Sequence, residues 1–135
     1  MPLKFWKKKP KEEVKKEEKK MPTLLEQLCG EDRELLWVLE RTLLIDPTKR
    51  NLEETTKKAE EYEKKGDKNN ARIENKYAGD LAIYKGDLNL ARKYYKKALE
   101  VDPEWPGKKI LEYFFTEKAE KAMETAKAYY SKKEA

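Results

Sequence analysis

Apolar residues recur every three or four positions through most of the chain, which is the spacing of one face of an α-helix. The strongest stripe follows Asp32, and its apolar members are Leu35, Leu36, Leu39 and Leu43, with Trp37 beside them. The alternation of apolar and polar residues that marks a half-buried strand does not occur in the sequence. The pattern therefore predicts an all-α fold.

Capping and turn residues divide this pattern into about six helices over residues 22–133. Thr23 and Glu26 form the spacing of a capping box, and Gly30 stands where the first helix should end. Gly-Asp pairs stand at residues 66–67 and 86–87. In each pair the glycine can end one helix in the left-handed conformation, and the aspartate can cap the start of the next. The later helices are expected from Asp32 to Asp46, Asn51 to Lys65, Lys68 to Lys85, Leu88 to Val101, and Lys108 to Lys132. The last of these is expected to be one long helix with a bend near Thr116.

The net charge of +5 is confined to the start of the chain. Residues 1–20 contain nine Lys and four Glu, whereas residues 21–135 contain 23 basic and 23 acidic side chains. Residues 1–20 also have too few apolar side chains to form a core. We therefore expect a flexible basic tail over residues 1–21 and a neutral helical domain over residues 22–135.

The missing residue types argue against catalysis. The chain has no His and a single cysteine, Cys29, at the end of an apolar helical face, where a buried structural thiol is expected. The paired carboxylates at residues 53–54 and 60–61 lie on a lysine-rich helix and are expected to be solvated, without the pocket that acid–base chemistry needs. No glycine loop for phosphate and no spaced metal ligands occur. We expect a non-enzyme without cofactor, metal or small-molecule substrate.

The sequence also bears on location. No apolar run is long enough to span a membrane, and no apolar segment follows the first lysines as a signal peptide would require, so we expect a cytoplasmic protein. The composition, rich in Lys and Glu with one Gln, resembles proteins of archaeal-type hyperthermophiles, in which ion-pair networks replace thermolabile residues.

One segment resembles a known repeat. Residues 71–103 read ARIENKYAGDLAIYKGDLNLARKYYKKALEVDP, a helix, a Gly-Asp turn, a helix and an Asp-Pro stop. Counted back from Pro103, small and aromatic residues stand at Gly79, Ala91, Tyr95 and Ala98, and over Arg72–Pro103 the segment resembles a tetratricopeptide (TPR) repeat. The resemblance implies stacked helical hairpins whose usual role is to bind another protein.

The resemblance is incomplete. Asn75 and Ala82 stand where the family has aromatic residues, and the two Gly-Asp turns are 20 residues apart, not the 34 of a full repeat. A degenerate array is therefore expected. Lys76 matches a family position that binds terminal carboxylates, but Asp80 replaces the asparagine, which disfavours that carboxylate clamp.

A general protein-binding groove remains an alternative along this helix. Its residues would be Lys76, Tyr77, Asp80, Ile83 and Tyr84. The competing interpretation is that the tyrosines are core residues with their hydroxyl groups at the rim. A second aromatic group near the last helix could form a protein-binding or homodimer face, and its members are Trp105, Tyr113, Phe114 and Phe115.

The tail carries the most specific hypothesis about a partner. Its candidate nucleic-acid-binding residues are Lys4, Phe5, Trp6, Lys7, Lys8, Lys9 and Lys11. Lysines displace phosphate counterions, and an aromatic side chain stacks on an unpaired base for roughly 1–3 kcal/mol. A neutral helical body with a thin basic extension resembles many ribosome-associated proteins, whose extensions contact rRNA. The same residues also fit an anionic membrane surface, an acidic protein, or a solubilising tail without fixed contacts.

Overall fold

The computed structural model describes residues 21–134, and they form helices with no strand among them. This confirms the all-α prediction for that part of the chain. The predictions for residues 1–20 lie outside the described residues. The helices are α1 (Leu24–Cys29), α2 (Arg33–Thr42), α3 (Leu52–Lys65), α4 (Lys68–Tyr84), α5 (Leu88–Val101), α6 (Lys108–Phe114) and α7 (Ala119–Glu134).

Five helices begin where the sequence predicts. In each, a side-chain oxygen at the N-cap accepts the backbone N–H three residues ahead, over 3.0 or 3.1 Å. This satisfies a donor that has no partner within the helix. The N-caps are Thr23, Asp32, Asn51, Asp67 and Asp87.

Two helix ends differ from the prediction. The second helix ends at Thr42, not at Asp46, and the Asp46 carboxylate instead accepts the Thr48 N–H and hydroxyl within a turn. The expected long final helix is wrong, because α6 and α7 are separated at residues 115–118. The Thr116 hydroxyl ends α6 by donating to the Tyr113 carbonyl over 2.7 Å.

The main core lies between six of the helices. The last helix, α7, packs against α1, α2, α4 and α5, so the beginning and end of the described chain meet. The fully buried large side chains at the centre include Leu35, Leu39, Tyr95 and Phe114. The remaining helix, α3, packs on α4 outside this cluster and buries only Thr55 and Ala59.

Small residues bring α4 and α5 together. A Cβ atom placed on Gly79 would lie 2.5 Å from Cε1 of Tyr95, which is closer than real Cβ atoms approach other atoms. Ala91 and Ala98 are also fully buried along α5. The packing of Gly79 against the Tyr95 ring therefore requires glycine. TPR-like stacking of the hairpins stays a prediction.

Candidate functional site

Two residues of the predicted groove, Lys76 and Asp80, belong to a polar network that joins three helices. One carboxylate oxygen of Asp80 accepts the Lys76 ammonium over 2.7 Å, and the other accepts the Tyr95 hydroxyl over 2.5 Å. Lys76 also donates to the carbonyl of Arg41 in the last turn of α2 over 2.5 Å, where a cation is favoured by the helix dipole. Because both donors are already engaged and Asp80 is fully buried, the network is a structural tie between α2, α4 and α5.

Burial dominates the electrostatics of this network. It raises the pKa of Asp80 to about 7, because the loss of hydration outweighs the opposing effects of the Lys76 ammonium and the Tyr95 hydroxyl. Burial, together with the neighbouring carboxylate, also raises the pKa of Tyr95 well above its usual value. Tyr95 therefore keeps its proton, and its hydroxyl group is the donor in the hydrogen bond to Asp80.

Tyr77 follows Lys76 on α4 and is half-buried. The guanidinium of Arg50 stands over its ring, 4.6 Å from the centroid, and forms an ion pair of 2.8 Å with Glu74. Arg50 precedes the N-cap of α3, so these contacts fasten the start of α3 to α4. The ring of Tyr77 is thus covered on one face by a residue of the same chain.

The last two residues of the predicted groove differ in exposure. Ile83 is buried in the main core, whereas Tyr84 is 38% exposed. The Tyr84 ring contacts the edge of Tyr130 in α7 with the two centroids 4.8 Å apart. Of the five groove residues, Asp80 and Ile83 are therefore inside the domain, and Lys76, Tyr77 and Tyr84 reach its surface.

The second aromatic group is divided in the same way. Trp105, Tyr113 and Phe114 are buried, and burial raises the pKa of Tyr113 to about 12. Phe115 is 56% exposed and lies under the guanidinium of Arg92, which also donates to the Phe114 carbonyl over 2.6 Å. Trp105 and Tyr113 thus pack within the domain, and Phe115 is the member of this group that faces solvent.

A groove that the sequence did not reveal lies between α1, α2 and α7. Its volume is about 450 Å³, and its apolar walls are formed by Leu24, Leu25, Leu39, Leu43, Leu44 and Tyr129. Glu40 of α2 and Lys133 of α7 also line it. We call it the α1–α2–α7 groove. Leu44 is 73% exposed beside it.

The signals for these features were only partly present in the sequence. The four-residue spacing of Lys76 and Asp80 marks an ion pair within one helix turn. The contact of Lys76 with Arg41 joins residues 35 positions apart, and the contact of Asp80 with Tyr95 joins residues 15 positions apart. No local spacing in the sequence indicates these contacts. Leu43 belongs to the apolar stripe that the sequence predicts and is buried, whereas Leu44 lies outside that stripe and is exposed. The groove beside Leu44 also depends on α1 and α7, which no local spacing indicates.

Cys29 is buried, as expected, and burial raises the pKa of its thiol, with a smaller contribution from Asp32. Within residues 21–134, no cluster of Cys, Asp and Glu side chains could hold a metal ion. None of the helices in that range is long and apolar enough to cross a membrane. The tail residues predicted to bind nucleic acid lie outside the described residues. No protein-family model, no curated protein and no solved structure matches this chain.

Proposed function

We propose that this protein is a non-catalytic, TPR-like binding factor that docks on a ribonucleoprotein, with the ribosome as the first candidate. In this proposal the basic tail contacts rRNA, and the helical body contacts a protein or a second copy of the chain. A translation factor or a hibernation factor would have this division of roles.

The separation of charge carries the proposal. All of the net charge of +5 comes from residues 1–20, and the rest of the chain is balanced. Many of the body's charges are also used internally, as in the ion pairs Lys118–Glu34 at 2.6 Å and Lys121–Asp32 at 3.2 Å. A polyanion would therefore be attracted mainly to the tail, where lysines flank Phe5 and Trp6.

The body supports a role in binding through its surface. It exposes apolar side chains at Leu44 and Phe115, and its buried polar network is fully engaged. Such a surface suits contact with another macromolecule, whereas acid–base chemistry needs a titratable group that substrate can reach.

Sedimentation of cell lysate through sucrose tests the proposal. The full chain should co-migrate with ribosomal particles in low salt and be released in high salt, because each neutralised phosphate adds to the salt dependence. Deletion of residues 1–11 should abolish the co-migration. Free migration of the full chain in low salt, or unchanged co-migration of the truncated chain, would contradict the proposal.

A matched pair of variants separates the tail's two groups of lysines. The test variant replaces with Gln four lysines of residues 1–11, a stretch that contains no acidic residue, and these are Lys7, Lys8, Lys9 and Lys11. The control replaces the four lysines that alternate with glutamates, Lys15, Lys16, Lys19 and Lys20. Only the test variant should lose most of the co-migration. Equal loss in both would show that total charge, not the segment around Trp6, determines binding.

The second candidate function is a protein–protein adaptor whose tail contacts a membrane surface or an acidic protein. The observation that favours it is the placement of Phe5 and Trp6 among lysines. Aromatic side chains insert at the headgroup boundary of a membrane, and each lysine near anionic lipid contributes about 1 kcal/mol to binding. Flotation of the full chain with vesicles of anionic lipid, compared with the chain lacking residues 1–11, tests this alternative.

A further inference from the structure

The α1–α2–α7 groove and Leu44 lie in one patch of the surface. Leu44 follows the C-terminal end of α2, and the walls of the groove are formed by the residues around it on α1, α2 and α7. Single exposed leucines are common on proteins and need no explanation. Here, however, a projecting apolar side chain and an apolar opening of about 450 Å³ occur side by side.

The charged side chains of the groove have opposite signs and come from different helices. Glu40 is contributed by α2 and Lys133 by α7. Among the described residues, Glu40 forms one long ion pair of 3.8 Å, with Arg41, whose guanidinium lies over the Trp37 ring. The Lys133 ammonium stands 5.5 Å from the centroid of the Tyr129 ring and forms no ion pair within the described part of the chain. Within the described part of the chain neither charge is held in a short ion pair, and Lys133 also interacts electrostatically with the nearby Asp46 carboxylate.

We propose that a second copy of this chain occupies the groove and forms a two-fold dimer. In a two-fold interface, the contact of residue i with residue j is repeated as the contact of j with i. The patch contains a projecting leucine, an apolar opening and one charge of each sign. Two copies of the patch can therefore contact each other in this reciprocal way. Leu44 of each copy would enter the groove of the other, and Glu40 of each would face Lys133 of the other.

This inference rests on the proposed function, since it names the partner and the surface for the helical body. The patch is small, and small interfaces are typical of weak or transient association. Dimerisation is therefore expected in the micromolar range. The neutral body favours self-association as well, because no net charge of the body repels a second body.

Analytical ultracentrifugation of the purified full chain, from about 1 to 500 µM and without nucleic acid, tests the dimer. The expected result is a monomer–dimer equilibrium that Leu44→Glu weakens at least about tenfold. Asn89→Glu is the matched control, because it adds the same charge at an exposed position outside the groove. Its dissociation constant should stay within about twofold of the original. A chain that remains monomeric over the whole range, or equal effects of the two variants, would overturn the proposal.

Exchange of the two charges tests the two-fold arrangement. Glu40→Lys and Lys133→Glu should each weaken the dimer, since each places like charges opposite one another. The double variant should return to within about threefold of the original dissociation constant, because the charges are then merely exchanged. Failure of the double variant to recover would overturn the arrangement.

Two controls separate this inference from other occupants and from the proposed function. Dimerisation that appears only after deletion of residues 1–20 would show that the tail occupies the groove in the full chain, which overturns the proposal. In lysate sedimentation, Leu44→Glu should still co-migrate with ribosomal particles, because the tail is intact. Loss of the dimer with retained co-migration therefore shows that dimerisation and ribosome binding are separate properties. A dimer of the full chain without any co-migration would support the dimer and contradict the proposed function.

Discussion

The α4–α5 hairpin and the face formed by α1, α2 and α7 differ in the residues that they contain and in how closely those residues pack. In the hairpin, small residues allow close approach, and the polar groups of Asp80 and Tyr95 are buried and paired. On the α1–α2–α7 face, large aliphatic side chains leave a groove, and Leu44 remains in solvent.

The difference separates stability from recognition. A buried carboxylate with all of its partners inside the domain holds helices together and has little to offer another molecule. An exposed leucine beside a groove contributes little to folding but can gain apolar contacts when a partner arrives. Changes in the hairpin should therefore alter stability, and changes on the α1–α2–α7 face should alter association.

The largest effect is expected from Tyr95→Ala. Tyr95 is fully buried between Gly79 and Phe114, so its removal leaves a cavity and deprives Asp80 of a donor. The free energy of unfolding should fall by about 3–5 kcal/mol in urea denaturation. The neighbouring Tyr94 is half-buried, and Tyr94→Ala should cost about 1 kcal/mol. Equal losses for the two variants would contradict the central position of Tyr95.

The next effect concerns pH. The pKa of Asp80 is raised in the folded chain, so the folded state holds this proton more tightly than the unfolded state does. The contribution of Asp80 to stability should be greatest below about pH 4, decrease as the pH rises to about 7, and then remain constant. Denaturation of the chain and of Asp80→Asn across this range measures it. The stability advantage over the Asn variant should shrink with rising pH, and parallel curves would contradict the assignment.

A smaller effect is expected from Gly79→Ala. The added methyl group would collide with the Tyr95 ring, and overpacking costs about 1–3 kcal/mol. The better helix propensity of Ala returns about 1 kcal/mol, which leaves a net loss of up to about 2 kcal/mol. In the Tyr95→Ala background the collision is absent, and the same substitution should become neutral or stabilising. If the loss persists in that background, the collision is not its cause.

The smallest effect on stability is expected from Leu44→Glu. Because Leu44 is 73% exposed, the free energy of unfolding at low protein concentration should change by about 0.5 kcal/mol or less. Leu43→Glu is the contrasting variant, since Leu43 is 7% exposed and a buried charge without a partner is costly. Comparable losses for the two leucines, measured by urea denaturation, would remove the distinction between the two regions.

The helix starts were predictable because they depend on neighbouring residues. An N-cap such as Asn51 and a left-handed glycine such as Gly66 act within one turn of the chain. The break between α6 and α7 was not predictable in this way. Residues 108–132 contain no Gly or Pro, so the sequence indicated no more than a bend near Thr116, where the hydroxyl bond to the Tyr113 carbonyl ends α6.

The candidate sites were less predictable than the helices. Burial of Asp80, Trp105 and Tyr113 depends on which helices cover them, and this information lies in distant parts of the chain. Pattern analysis placed Asp80 on an open groove, although its position between α4 and α5 encloses it. The groove beside Leu44 depends on the packing of α1 and α7, which no pattern around Leu44 indicates.

The packing of α7 against α1 has a consequence for how the domain unfolds. In an open stack of repeats, each unit contacts only its neighbours, and the ends can melt while the middle remains folded. Here the first and last described helices, α1 and α7, contact each other. Unfolding of either helix therefore exposes the buried face of the other to solvent. The six helices of the main core should consequently unfold in a single cooperative transition, with α3 as the element able to detach beforehand.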